Sequence, residues 1–170
     1  MRAFLLPSTL CLALLWTGCA GYHLGPTQGR RAGGQSVQVN PFFNKTMEPR
    51  LSEPVTTSLR RQLQNDGTFV LNTDQTGDVI VEGTILGFDR KAVAFQSKDT
   101  RTAREYQITI TAQVTARERS SGRTLVDRKV DGHASMWIGE DLVSAERQTV
   151  PLVAEDLARN ITSLLVDGDF

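Results

Sequence analysis

The sequence predicts an α+β fold: a two-layer sandwich in which two helices pack on one face of a small mixed sheet of about four strands, in the order β-α-β-β-β-α. Three observations carry that expectation. Apolar and polar residues alternate strictly from Tyr106 to Ala116, and a second strand-like run from Arg123 to Trp137 follows the turn Ser120-Ser121-Gly122, which together read as a long antiparallel hairpin. Apolar residues recur at helical spacing in two other segments, as Leu51, Val55, Leu59 and Leu63 and then as Val150, Val153, Leu157, Ile161, Leu164 and Leu165. The first apolar run of the chain, Ala3 to Leu15, is too short to cross a bilayer as a permanent helix, so it belongs to a leader rather than to the fold.

The leader sets the domain plan. Arg2, the apolar run and the small residues before Cys19 read as a signal peptide over residues 1–18. A cysteine directly after the cleavage region looks like the lipobox of a bacterial lipoprotein, with Cys19 acylated as the first residue of the mature chain. An ordinary cleaved leader or a buried N-terminal helix, with Cys19 an incidental small apolar residue, is the other reading. Cysteine arithmetic favours acylation, because Cys11 leaves with the leader and Cys19 then has no disulfide partner. Residues 19–34 hold four glycines between His23 and Gly34 with Pro26, Arg30 and Arg31, the composition of a flexible tether behind a lipidated N-terminus. The remaining residues, 35–170, are enough for one α+β domain and too few for two.

Within that domain the first strand is Ser36 to Asn40, closed by Pro41, which has no N–H to continue a ladder. Pro49 suits the first turn of a helix that carries the Leu51 stripe and stops at Asn65-Asp66-Gly67. Thr68 to Leu71 is too short to assign. Asp78 to Phe88 is β-branched and reads as a strand, with Val79, Val81 and Ile85 on one face and Ile80, Leu86 and Phe88 on the other. In the hairpin that follows, the wet face carries Gln107, Thr109, Thr111, Gln113 and Thr115, an uncharged surface suited either to docking against another protein or simply to water. The final helix runs from about Asp141 to Leu165, and Pro151 is expected to kink or divide it.

Chemistry is harder to find than structure. The chain balances 19 Lys+Arg against 19 Asp+Glu, which leaves no basic field to attract nucleic acid. His23 and His133 have no cysteine or carboxylate at metal-ligand spacing, so no metal or other cofactor is implied. Glu53, Glu82, Glu105 and Glu118 are scattered over different elements, and no nucleophile elbow or phosphate loop exists. The sequence therefore points away from an enzyme. Arg90, Lys91, Lys98, Arg101 and Arg104 fall in an expected loop beside Val93, Ala94 and Phe95, where they could meet an anionic amphiphile or be merely solvated.

Several segments, in order, resemble the lipopolysaccharide-assembly lipoprotein family LptE. They are Gly18-Cys19-Ala20-Gly21-Tyr22-His23-Leu24 at the mature start, Phe42-Phe43-Asn44-Lys45-Thr46-Met47-Glu48-Pro49 before the first helix, Glu105-Tyr106-Gln107-Ile108 at the start of the hairpin, and Leu152-Val153-Ala154-Glu155-Asp156-Leu157-Ala158 in the last helix. The chain departs from the family pattern at Trp16 in the lipobox and at Ala20 after the cysteine. The resemblance implies an outer-membrane lipoprotein, anchored through Cys19 and facing the periplasm. It would plug a large outer-membrane β-barrel of the LptD type and help lipopolysaccharide reach the cell surface, without catalysis. It also implies lipopolysaccharide-binding basic residues, for which Lys98, Arg101, Arg104 and Lys129 are the nearest matches by position. Two other classes fit the same small leashed domain: a lipoprotein activator of a cell-wall (peptidoglycan) synthase, and an exported enzyme.

Overall fold

The computed structural model describes residues 34–96, 99–137 and 141–167, so the leader, the tether and Cys19 lie outside the described residues. Residues 32–170 form one compact unit. Its elements follow in the order β1 (Gln35–Val39), β2 (Phe43–Asn44), α1 (Ser52–Asp66), β3 (Phe69–Leu71), β4 (Val79–Gln96), β5 (Asp99–Glu118), β6 (Thr124–Trp137) and α2 (Leu142–Asp167).

The α+β class and the mixed sheet hold, but the sheet has six strands rather than about four. Its order is β3-β1-β4-β5-β6, and β2 also pairs with β4. β1 runs parallel to both β3 and β4, while β4, β5 and β6 are antiparallel. The two strands that the sequence did not announce are two and three residues long, too short for any periodicity to register.

Both helices lie on one face of this sheet. Ile108, Ile110, Ala112, Val114 and Ala116 of β5, with Val79, Val81 and Ile85 of β4, are buried there against Leu59 and Leu63 of α1 and Val153, Leu157 and Ile161 of α2. Side chains such as Leu59, Ile85, Ile110 and Ile161 are fully enclosed, and each contributes about 1.5–3 kcal/mol of apolar burial. α2 packs tightly on the sheet at Gly132. A Cβ there would lie 2.5 Å from Leu157 Cβ and 2.6 Å from its backbone nitrogen, so the helix passes where β6 has no side chain.

Four local expectations are corrected. The first helix begins at Ser52 and not at Pro49, because Arg50 takes a left-handed conformation at φ 64° that breaks the helical path. Pro54 then occupies the first turn, where its missing N–H costs nothing. β4 bulges between Ile85 and Gly87, so Phe88 pairs with Ile110 and rejoins Ile85 on the helix side. Of the kink or division expected at Pro151, the division is absent, since α2 runs from Leu142 to Asp167 as one helix. Lastly, Arg90, Lys91, Arg101 and Arg104 do not sit in a loop, since β4 and β5 stay paired from Val79 opposite Glu118 out to Gln96 opposite Asp99, while Lys98 lies outside the described residues.

Two carboxylates fix element ends. Asp141 caps α2 by accepting from the Val143 and Ser144 N–H groups at 3.0 and 3.1 Å and from the Ser144 hydroxyl. Its pKa is lowered, first by the Ser144 hydroxyl bond. Asp78 accepts from the Ser36 N–H at 2.9 Å and the Ser36 hydroxyl at 2.7 Å, which tie the start of β4 to β1 and hold that carboxyl below its ordinary range.

Candidate functional site

Three surfaces are left after the core is closed. The first is the far end of the β4–β5 hairpin. β6 stops at Trp137, opposite Glu105, while β5 continues back to Asp99, so residues 99–104 pair only with β4 and the ribbon projects past the rest of the sheet. Arg101 and Arg104 lie on this ribbon, and Lys98 falls outside the described residues. Lys129 does not join them. It sits on β6 opposite Gln113, nine strand residues from Arg104, which is about 30 Å at roughly 3.3 Å per residue. Arg90 is drawn toward α2, where its guanidinium donates to Glu146 at 3.0 Å and lies 6.0 Å from the Phe88 ring centre. Lys91 is exposed opposite Gln107.

Beside the base of the ribbon stands an apolar patch. Trp137 is 64% exposed and, with Leu152, lines a cavity of about 400 Å³ over the capped start of α2. Leu142 and Val143 on the first turn of that helix are exposed as well.

The second surface is the face of the sheet turned away from the helices. The β5 stripe of Gln107, Thr109, Thr111, Gln113 and Thr115 lies there as the alternation predicts, but the face as a whole is charged. Register brings Glu82, Asp89 and Lys91 from β4 and Asp127, Lys129, Asp131 and His133 from β6 onto it. Hydroxyls and amides of the stripe bind these neighbours: Thr111 donates to Asp131 at 2.6 Å, Gln113 donates to Asp127, and Thr109 Oγ1 lies 3.0 Å from His133 Nδ1. The outer edge of β6 is clasped from α2, where Asp156 accepts the His133 N–H at 2.9 Å and Asn160 donates to the Asp131 carbonyl at 2.8 Å.

The third surface is a groove of about 290 Å³ on the same outer face, at the crossing from β1 to β2. Between the pairs Val39–Val81 and Phe43–Thr84 the first chain has one residue more than β4, and Pro41 supplies no N–H to bond. The chain therefore lifts away from β4. It is held at either side by the Asn40 N–H on the Val81 carbonyl at 2.9 Å and the Lys45 N–H on the Ile85 carbonyl at 3.0 Å. Phe42 turns into the core, directly over Gly83, and Phe43 turns out at 63% exposure. Nothing in the sequence announces this groove, because its lining comes from strands that only the register brings together.

Among the described residues no group of three His, Cys, Asp or Glu could hold a metal ion, and no helix is long and apolar enough to cross a membrane.

Comparisons with known proteins agree with this architecture. No curated protein sequence matches the chain. Protein XCC0632 from Xanthomonas campestris shares the fold at a TM-score of 0.59 and 11% identity, over 84% of this chain and 90% of that one. The hypothetical protein CT253 from Chlamydia trachomatis does so at 0.58 and 11% identity, over 79% and 96%. A minor lipoprotein from Acinetobacter baumannii follows at 0.51 and 17%, over 78% and 93%. The family model of LptE, described as lipopolysaccharide-assembly, matches residues 34–167, which covers every helix and strand of the domain. On that match the chain belongs to the LptE family of lipopolysaccharide assembly.

Proposed function

We propose that this protein is a lipid-anchored, non-catalytic partner of an LptD-type β-barrel in the outer membrane. On this reading it plugs the barrel from the periplasmic side while lipopolysaccharide passes to the cell surface. Membership of the LptE family carries the reading. The projecting β4–β5 ribbon supports it, since Arg101 and Arg104, with Lys98 between the two strands in sequence, bring cationic residues to the stretch of β5 that pairs only with β4. Guanidinium groups there would meet the phosphates of lipopolysaccharide through paired charge-assisted hydrogen bonds. Lys129 lies too far along β6 to reach the same phosphate, so its part in the reading is a separate contact on the outer face. The exposed Trp137, Leu142 and Val143 offer an apolar surface for the barrel or for acyl chains.

Acylation at Cys19, after removal of residues 1–18, is the anchor in this account. Several acyl chains on one residue give firm membrane attachment, at about 0.8 kcal/mol per buried methylene. A Cys19→Ala protein is expected to lose label from a fatty acid precursor, and retained label would remove the anchor. Reversing the charges of Lys98, Arg101 and Arg104 together is expected to weaken lipopolysaccharide binding with the thermal midpoint unchanged. Binding that stayed at the original strength would remove the ribbon from the mechanism.

A further inference from the structure

We infer that the groove between Phe43 and the outer face of β4 and β5 is a binding site for a sugar ring that itself carries no charge. The inference rests on the groove itself; if the reading above holds, the sugar is that of lipopolysaccharide, and otherwise the glycan of the cell wall has the same chemistry.

The lining excludes other ligand classes. Glu82 is its one charged side chain, so a phosphate or carboxylate ligand would meet repulsion from the lining itself, and Lys129, opposite Gln113 on β6, lies outside that lining. The floor is polar, built from the outer faces of Thr84, Gln113 and Thr115, so an acyl chain would gain only the Pro41 and Phe43 side and would cover unpaired polar groups below. What remains is a ligand with hydroxyls on its rim and an apolar face. A pyranose ring is that object. Its C–H face can lie on an aromatic ring while its hydroxyls exchange water for amide, hydroxyl and carboxylate partners.

The groove supplies both parts. Phe43 forms one wall at 63% exposure, an energetically idle position for a phenyl ring unless something covers it. Its backbone is held by pairing with Thr84, and Phe42 beside it is 2% exposed, so the backbone that carries the wall is set before any ligand arrives and only the ring is ordered on binding. Facing it, Glu82 uses Oε1 to accept from Asn40 at 2.9 Å, and Gln113 uses its amide N–H to donate to Asp127. Among the described residues Glu82 Oε2, Gln113 Oε1 and Thr84 Oγ1 are left without partners. Three hydrogen-bonding atoms and one aromatic face, in about 290 Å³, match a single ring and fall at the small end of ligand cavities.

The test is calorimetric titration of the full-length protein in mild detergent with two probes. One is the lipid-free oligosaccharide released by mild acid from the lipopolysaccharide of the host cell; the other is soluble peptidoglycan glycan strands. At least one is expected to bind saturably. That binding is expected to fall about tenfold in Phe43→Ala and in Gln113→Met, and to stay within about twofold in Trp137→Ala. It is also expected to be insensitive to salt between roughly 0.01 and 1 M, where the screening length shrinks from about 30 to about 3 Å. Unchanged thermal midpoints keep the variants interpretable, and Gln113→Met serves if Phe43→Ala is misfolded. No binding by either probe, binding indifferent to both groove variants, or binding abolished by salt would overturn the inference. The two readings can fail separately: glycan strands binding alone would keep the groove and remove lipopolysaccharide as its ligand, whereas binding by neither probe would remove the groove and leave the family reading standing.

Discussion

Gly83→Ala puts one methyl group where Phe42 already is. The new Cβ would lie 2.1 Å from Phe42 Cε1 and 2.4 Å from both Cδ1 and Cζ, so three ring atoms must retreat by more than an ångström. Phe42 is 2% exposed and has no free space to retreat into. Overpacking of this kind costs typically about 1–3 kcal/mol, and relief of the glycine entropy term in a strand returns about 0.5–1 kcal/mol, for a net loss of roughly 1–2 kcal/mol. With a urea slope near 2 kcal/mol per molar, the midpoint falls by roughly 0.5–1 M. Phe42→Ala alone removes a buried ring at a cost of about 3–5 kcal/mol. In the double variant the methyl group added at position 83 enters the space the ring has left, so the pair is expected to be no less stable than Phe42→Ala alone. Urea unfolding of residues 32–170, followed by circular dichroism, reads all four corners of the cycle. Costs that add within about 0.5 kcal/mol, or a neutral Gly83→Ala, would refute the packing argument.

Contacts elsewhere in the domain set smaller effects. Asn160→Ala opens the outer edge of β6 at the Asp131 carbonyl and is expected to cost about 1 kcal/mol in urea unfolding and to raise light scattering at high protein concentration. Arg61→Ala breaks an inter-helix ion pair at 2.6 Å, but its partners are 56% and 43% exposed, so a change below about 0.5 kcal/mol is expected, and a loss above about 1 kcal/mol would be wrong for a solvated pair. The Asp78 carboxyl has a lower pKa in the folded chain than its ordinary value of 3.8, because the Ser36 N–H and hydroxyl favour the charged form. Its contribution is therefore complete above that value and is lost as pH falls through the lower folded pKa. Asp78→Asn is expected to flatten the acid limb of the stability curve below about pH 4, and a limb of unchanged steepness would contradict the assignment.

How much of this was legible depended on whether a residue faced one environment or two. β5 and β6 could be read because the helices bury one face and water wets the other, which stamps a period of two on Ile108, Ile110, Ala112 and Val114. α2 could be read for the same reason at helical spacing, although nothing in the sequence revealed that Pro151 would be carried without a break. Arg90 to Gln96 and Asp99 to Arg104 continue the pairing of β4 with β5 without the apolar alternation of Ile108 to Val114, so periodicity marks no strand there and the charges read as a loop. Alternation alone puts Phe88 on the outer face, because a bulge is a backbone event that shifts register without changing composition. The groove was invisible for a further reason. Phe43, Thr84 and Gln113 meet only through the parallel pairing of β2 with β4 and the antiparallel pairing of β4 with β5, and no local window contains more than one of them.

The central claim is the partnership with a barrel, and it is tested most directly by drawing the tagged full-length protein from its own cell envelope in mild detergent and identifying what accompanies it by mass spectrometry. The account predicts a large outer-membrane β-barrel protein of the LptD type in about equal amount. A peptidoglycan synthase in that place, or the protein alone, would contradict it.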